Sequence, residues 1–320
     1  MFKLAVDKIE NWIYVTGVIR SGTTFVGKIL SLPLQVDYIH EPFNPLCGIP
    51  GMTKWYRYVE PSLSTAEMRQ FHTLTKSIFS YDLQLRTWYP PSNPIHTRVI
   101  KQVFGSRGPF YLRLAKPNIF HRAAVIKDPT GNLATEYLYR HFAVKPVIVI
   151  KHPISFIASL KRVNWHPKLE EINDQPQLIE DYFADERDFI KGKYDNWVLE
   201  AAAYWRASYK VLLAQASQYP GWLVFTHEEL SQSSVAVFKN LYDKLDLPWS
   251  QGIENKILQL TTGNSSAKAR KGKVQDFKRN SADIFKTSIE SISLTERRQI
   301  FEIVEDIALQ VYDRSSFLLD

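Results

Sequence analysis

Trp12-Ile13-Tyr14-Val15-Thr16-Gly17-Val18-Ile19-Arg20-Ser21-Gly22-Thr23-Thr24-Phe25-Val26-Gly27-Lys28-Ile29-Leu30 reads as strand, glycine loop and helix in succession. An apolar, aromatic and β-branched run ends at Gly17, and helical character begins at Phe25. Gly17 and Gly22 stand at the spacing of a phosphate-binding P-loop. In such a loop the glycines let successive N–H groups point inward, and the helix start adds partial positive charge. A phosphate or sulfate is then held mainly by main-chain donors. A plain glycine turn between strand and helix is the alternative, and the correct flanks favour anion binding.

An NTPase also needs a lysine on the β/γ-phosphates and a hydroxyl on magnesium. Here Thr23 occupies the lysine position, Thr24 keeps the hydroxyl, and the nearby cation is Arg20, inside the loop. The missing lysine argues against ordinary ATP hydrolysis.

With 320 residues, 45% of them hydrophobic and 23% charged, the chain has the composition of a globular protein with a full core. Its net charge of +7 permits an anionic ligand, a polyanion or a membrane surface without choosing among them. Cys47 is the only cysteine, so neither a disulfide framework nor a cysteine zinc site is expected, and a reducing, cytoplasmic setting is the default. From Met1 to Lys8 charges recur every few residues straight into the first strand, so no signal peptide is expected. No uninterrupted apolar stretch approaches the length of a membrane span.

Further short apolar runs recur at Val36 to Ile39, Ala123 to Ile126, Val147 to Ile150 and Trp222 to Phe225. Such runs, apolar on both faces and followed by helical patterns, read as strands of a buried parallel sheet. The expected class is α/β, a P-loop-containing nucleotide-binding fold with a central parallel sheet and helices on both faces. One domain, 1–320, is expected, with an aromatic-rich, proline-punctuated insertion at about 50–118. Its Trp55, Tyr56, Tyr58, Trp88 and Tyr89 would suit stacking on a sugar or ring, or would be core.

A long helix is expected from Tyr194 to Tyr219, with Trp197, Ala201, Trp205, Ser208, Leu212 and Ala216 on one stripe as core. The capping box Ser293-Leu294-Thr295-Glu296 predicts a last helix burying Ile300, Ile303, Val304, Ile307 and Val311.

Lys151-His152-Pro153 closes the strand Val147 to Ile150, and a helical segment carries Ser155, Ser159, Lys161 and Arg162. Cations at the carboxyl end of a buried strand lie where open α/β sheets bind ligands; a basic helix surface is the competing reading. Ser159 faces that end of the sheet only if the helix begins with an irregular turn. A third element, 268–279, holds six cations against Asp276, as a solvated charge run or a phosphate clamp.

The loop Arg20-Ser21-Gly22-Thr23-Thr24, the Lys151-His152-Pro153 to Ser159 segment and Arg270-Lys271-Gly272 to Lys278 together resemble, in order and spacing, the sulfotransferases that use 3′-phosphoadenosine 5′-phosphosulfate (PAPS). The resemblance implies that Arg20, Ser21, Gly22, Thr23, Thr24 and the adjoining Phe25 cradle the 5′-phosphosulfate. It implies that Lys151, Ser159, Arg270, Lys271 and Gly272 hold the 3′-phosphate. Lys151 stands where the family often has arginine, Gln275 replaces a usual glycine and Phe277 a usual tryptophan. Arg20, with His40-Glu41-Pro42-Phe43, resembles the carbohydrate-modifying and bacterial branches rather than the phenol and steroid branch.

For sulfuryl transfer, catalysis is largely positioning and charge stabilisation, and no metal is expected. Glu41 is the first candidate base, with His40 beside it as the alternative; a surface or capping carboxylate is the competing reading for Glu41. Lys127 and Arg20 would stabilise the sulfuryl oxygens and the leaving phosphate. Asp128 is a weaker base candidate, and a strand-terminal turn is the other reading of Lys127-Asp128-Pro129. Phe225-Thr226-His227-Glu228-Glu229-Leu230 resembles a strand-end acidic motif with a structural role.

The implied acceptor is a small molecule or glycan, with no nucleic acid partner, because the cations concentrate in one loop and at strand ends rather than over a face. Two other readings stay open. One is a magnesium-dependent kinase or nucleotide hydrolase in which Lys28 or Lys127 replaces the missing lysine. The other is a noncatalytic polyanion binder using the 268–279 run.

Overall fold

The computed structural model describes residues 8–90, 93–232, 234–261 and 288–319. The basic run 268–279, with Arg270, Lys271 and Gly272, lies outside the described residues.

The strands are β1 (Asn11–Thr16), β2 (Val36–His40), β3 (Ala123–Lys127), β4 (Lys145–Ile150) and β5 (Leu223–Thr226). They form one sheet in the order β2-β3-β1-β4-β5, with helices between successive strands, so the fold class is the α/β architecture expected. β3 pairs in parallel with β1 and β2, and the register sets both Val15 and His40 beside Lys127. That alignment brings the carboxyl ends of three strands level.

All five runs form strands, but β5 differs from its expected burial. Val224 on β5 is 36% exposed, whereas β2, at the other end of the sheet order, is buried throughout.

The chain forms two compact units, one of Met1–Thr16 and Val26–Val147, the other of Gly17–Phe25 and Ile148–Asp320. In the first, β1 and β3 bury Tyr14, Ala124 and Ile126 in a cluster with Phe43, Phe71, Tyr81 and Tyr137. Residues of the 50–118 stretch, such as Phe71 and Tyr81, feed this cluster. Helix Ala66–Phe79, capped by Thr65 Oγ1 accepting from the Met68 N–H at 3.1 Å, buries Met68, Phe71, Thr75 and Ile78 at helical steps. Each such apolar side chain contributes about 1.5–3 kcal/mol by burial. Tyr56 and Tyr58 are core, whereas Trp88 is exposed.

In the second unit the long helix runs Trp197–Gln218, shorter than expected at its start because Asn196 Oδ1 accepts from the Val198 and Leu199 N–H groups and caps it. Ala201, Trp205, Ser208 and Leu212 of the expected stripe are buried, and so are Ala202, Ala203, Tyr204 and Tyr209 around it. The last helix, Leu294–Ala308, carries the expected capping box. It ends before Val311, which is half-buried in the following turn, and Ile303 is likewise half-buried. Among the described residues no helix is long and apolar enough to cross a membrane.

Candidate active site

Gly17 and Gly22 adopt φ of +146° and +98°, conformations that glycine reaches without strain. They are also packed too closely for a side chain. A Cβ on Gly17 would lie 2.2 Å from the Val149 carbonyl oxygen, and one on Gly22 would lie 2.3 Å from His227 Cδ2. The curl is locked by Tyr209: its O–H donates to Val149 O at 2.8 Å, and its oxygen accepts the Val18 N–H at 3.3 Å. Arg20 itself sits at φ +67°, a left-handed conformation that costs a non-glycine residue about 1–3 kcal/mol. Its Nε donates to Ser159 Oγ at 3.1 Å, and its guanidinium lies 5.6 Å from the Trp165 ring centre.

Ser159 belongs to helix Pro153–Val163, which starts regularly, with His152 as its cap and proline in its first turn. The irregular turn named as the condition for Ser159 to face the strand ends is not present, and Arg20 instead meets Ser159 in the second turn. Lys151, at the end of β4, is buried; its carbonyl accepts from Trp205 Nε1 at 2.8 Å. His152 is buried and neutral, held at about 3 by desolvation; its Nδ1 accepts the Ile154 N–H at 3.3 Å. Glu228 accepts the His152 N–H at 3.3 Å and the Tyr312 O–H at 2.9 Å, and Glu229 accepts from both Thr226 groups at 2.8 Å. These contacts give the Thr226 to Glu229 segment the structural job its sequence implied. His227 is pushed down to about 3 by burial and by the Lys151 charge, so it presents a neutral ring to Gly22.

An anionic donor fits this loop: cations at Arg20 and Lys151 serve one unit, and the hydroxyl of Ser155, behind Lys151, is buried without a hydrogen-bond partner. The nearby Glu228 carboxyl is pushed up by burial, against the pull of Lys151.

The first compact unit gathers a separate cluster at the ends of β2 and β3. Lys127 Nζ pairs with Glu41 Oε1, and Asn44 Nδ2 donates to Glu41 Oε2 at 2.7 Å. Burial alone would raise the Glu41 carboxyl, but the Lys127 charge and these hydrogen bonds hold it at about 2. Like Arg20, Glu41 sits in the left-handed region, at φ +49°, and its N–H extends the ladder to Lys127 O at 2.8 Å. The stem of Lys127 packs on Gly27, where a Cβ would come within 3.1 Å of Lys127 Cβ.

His40 is desolvated to about 3 and is neutral, with Nδ1 3.0 Å from Tyr38 Oη and Nε2 3.8 Å from Glu41 Oε1. Asp128 is fully buried, and burial and then the Glu41 charge push its carboxyl up to about 6. Its oxygens accept from the N–H groups of Phe43, Thr130 and Gly131 and from Thr130 Oγ1, so it organises the turn after β3. The Cys47 thiol, 3.9 Å from Glu41 Oε2, is raised by burial and then by the Glu41 charge.

No family model and no curated protein matches the chain. Among solved structures it is similar to the sulfotransferase domain from the curacin biosynthetic pathway, at 16% identity over 93% of this chain and 98% of that one, with a TM-score of 0.47. It is similar to the sulfotransferase domain of the Synechococcus PCC 7002 olefin synthase, at 15% identity over 95% and 96%, with a TM-score of 0.49. It is also similar to retinol dehydratase in complex with retinol and PAP, at 16% identity over 97% and 84%, with a TM-score of 0.44.

Of the residues singled out from sequence, the structure joins Arg20 to Ser159 in one unit, and Glu41 to Lys127 and His40 in the other. Ser21, Thr23 and Thr24 are buried in the loop, and Phe25 meets Phe238 edge to face at 5.7 Å. Sequence reasoning missed Tyr209, although it lies four residues after Trp205 on the same helix, and it missed Asn44, three residues from Glu41. Among the described residues no group of three or more His, Cys, Asp or Glu could hold a metal ion.

Proposed function

We propose that the protein is a sulfotransferase moving the sulfuryl group of PAPS to a hydroxyl or amine of a glycan, glycolipid or small metabolite. The observation that carries this reading is the Arg20 to Ser159 hydrogen bond, which links a P-loop lacking the NTPase lysine to the strand-end element read as the 3′-phosphate site. The loop N–H groups and Arg20 hold the phosphosulfate; Lys151, Ser159 and the Arg270-Lys271-Gly272 loop take the 3′-phosphate.

The acceptor oxygen or nitrogen attacks sulfur in line, the bridging phosphate oxygen leaves with the bonding electrons, and the acceptor proton passes to Glu41. As paired here, Glu41 is too acidic to take it readily. In this reading Lys127 stabilises the sulfuryl and leaving-phosphate oxygens, and any weakening of its pairing with Glu41 raises the carboxyl. The single cysteine suits a reducing, cytoplasmic compartment.

The displaced-lysine kinase has less support, since Lys28 lies over the Tyr111 ring at 5.7 Å and Lys127 is engaged by Glu41. The test is incubation with sulfur-labelled PAPS and a panel of glycan, phenol and amine acceptors. Label appearing in an acceptor with release of adenosine 3′,5′-bisphosphate supports the assignment; magnesium-dependent ATP turnover without label transfer overturns it.

A further inference from the structure

Helix Ile95–Phe104 is built inside out. Its apolar stripe Ile95, Val99 and Val103, with Ile100 beside it, is 79%, 53%, 61% and 55% exposed, while Thr97, Arg98 and Lys101 are half-buried on the opposite side. An amphipathic helix in water buries the stripe and exposes the cations. The reversal continues into helix Arg107–Ala115, where Phe110 and Leu114, one turn apart, are exposed. Arg113 Nη1 ties the two helices together by donating to Val103 O at 3.1 Å. Beyond them Ile119 and Phe120 are exposed, and Asn118 Nδ2, donating to Leu34 O at 2.9 Å, sets the exposed Leu34 against the same stretch. Several large apolar side chains thus share one surface, which exceeds the scattered exposure normal for a protein surface.

The charge on this surface selects what covers it. Between Asp82 and Asp128 the chain contains no Asp or Glu and eight Lys or Arg. Arg86 is turned to the carbonyls of Pro45, Ile49 and Met52, and Lys127 to Glu41. Of the other six, Arg107, Arg113 and Arg122 are exposed, whereas Arg98, Lys101 and Lys116 are half-buried. A second copy of the chain would set this cationic surface against itself, and a nucleic acid would leave the Ile and Val stripe in water. An anionic lipid bilayer satisfies both features: acyl chains take the apolar side chains, and headgroups take the exposed arginines Arg107, Arg113 and Arg122.

We propose that the outward face of Ile95–Phe104 and Arg107–Ala115 docks the protein on an anionic membrane surface. This assignment is independent of the reaction proposed above. Because Leu112 and Ala115, on the inner side of the second helix, belong to the hydrophobic cluster, docking through the outer side does not require the chain to unfold.

The test is co-sedimentation of the full chain with vesicles of phosphatidylcholine alone and of phosphatidylcholine mixed with phosphatidylserine. Binding to the mixed vesicles alone, weakened by added salt, is expected. The Val99→Asp, Val103→Asp double variant should lower that binding about tenfold or more, and Arg113→Gln with Arg122→Gln should lower it while flattening its salt dependence. Leu309→Asp, an exposed apolar position in the other unit, should bind as the parent does. All variants should keep the parent melting temperature, since each changed side chain is exposed. Absence of vesicle binding overturns the proposal, as does equal loss in Leu309→Asp. A concentration-dependent dimer that the valine variant turns to monomer, without vesicle binding, assigns the surface to a second copy instead.

Discussion

Arg20 Nε donates to Ser159 Oγ across 3.1 Å, joining a loop residue at φ +67° to the second turn of a helix 139 positions later. In the proposed donor complex Arg20 would bind the phosphosulfate and Ser159 the 3′-phosphate, each exchanging this bond for a ligand oxygen. Ser159→Ala should weaken binding of adenosine 3′,5′-bisphosphate about tenfold and leave its 3′-dephospho analogue almost unchanged, as titration calorimetry would record. Equal losses for the two nucleotides would remove Ser159 from the 3′-phosphate site.

The Glu41 to Lys127 pair links turnover to acid stability. Glu41 is lowered from 4.5 to about 2 in the fold, so its stabilisation is complete above the unfolded carboxylate value and is lost as pH falls from about 4.5 towards 2. Glu41→Gln should cost about 3 kcal/mol at neutral pH, because buried Lys127 loses its partner. Compared with the parent, the variant should lose less further stability across that acid window. Denaturant titrations at neutral and acid pH check this. Turnover should fall sharply in the same variant while bisphosphate affinity is kept; a parallel loss of affinity would make the carboxylate structural.

Gly22 and Gly17 should tolerate alanine differently. Gly22→Ala meets the His227 ring, whereas Gly17→Ala meets the Val149 main chain. Pairing Gly22→Ala with His227→Gly should restore part of the lost bisphosphate binding, the φ of +98° keeping recovery incomplete. No side-chain deletion should rescue Gly17→Ala. Melting temperature and calorimetric affinity measured together decide it.

Tyr209→Phe removes a hydroxyl that serves Val149 O and the Val18 N–H at once. The loss should be about 1–3 kcal/mol of stability, since the buried Val18 N–H loses its acceptor. At saturating PAPS the maximal rate should hold while the KM for PAPS rises; an unchanged KM would show that the loop keeps its shape without this tie.

The strands and the loop were legible because their signals are local: short apolar runs, two glycines at fixed spacing, and a helix start behind them. The exposure of β5 was not, since what packs over a strand's face is set by distant parts of the chain rather than by the run itself. Tyr209 lies 191 positions from Val18, and Glu41 lies 86 from Lys127, so only the fold brings these partners together. Helix Ile95–Phe104 was not read from the sequence, and which way its apolar side chains face is a tertiary property. Ser159 was implied by the family resemblance, and its hydrogen bond to Arg20 is a contact only the fold reveals.

The account stands most directly on the ligand of the glycine loop. Titration calorimetry of the full chain in chelator should register tight binding of adenosine 3′,5′-bisphosphate, with ADP and ATP binding far more weakly and magnesium changing none of the three. Tight ATP binding that requires magnesium, with the bisphosphate no better than ADP, would contradict it.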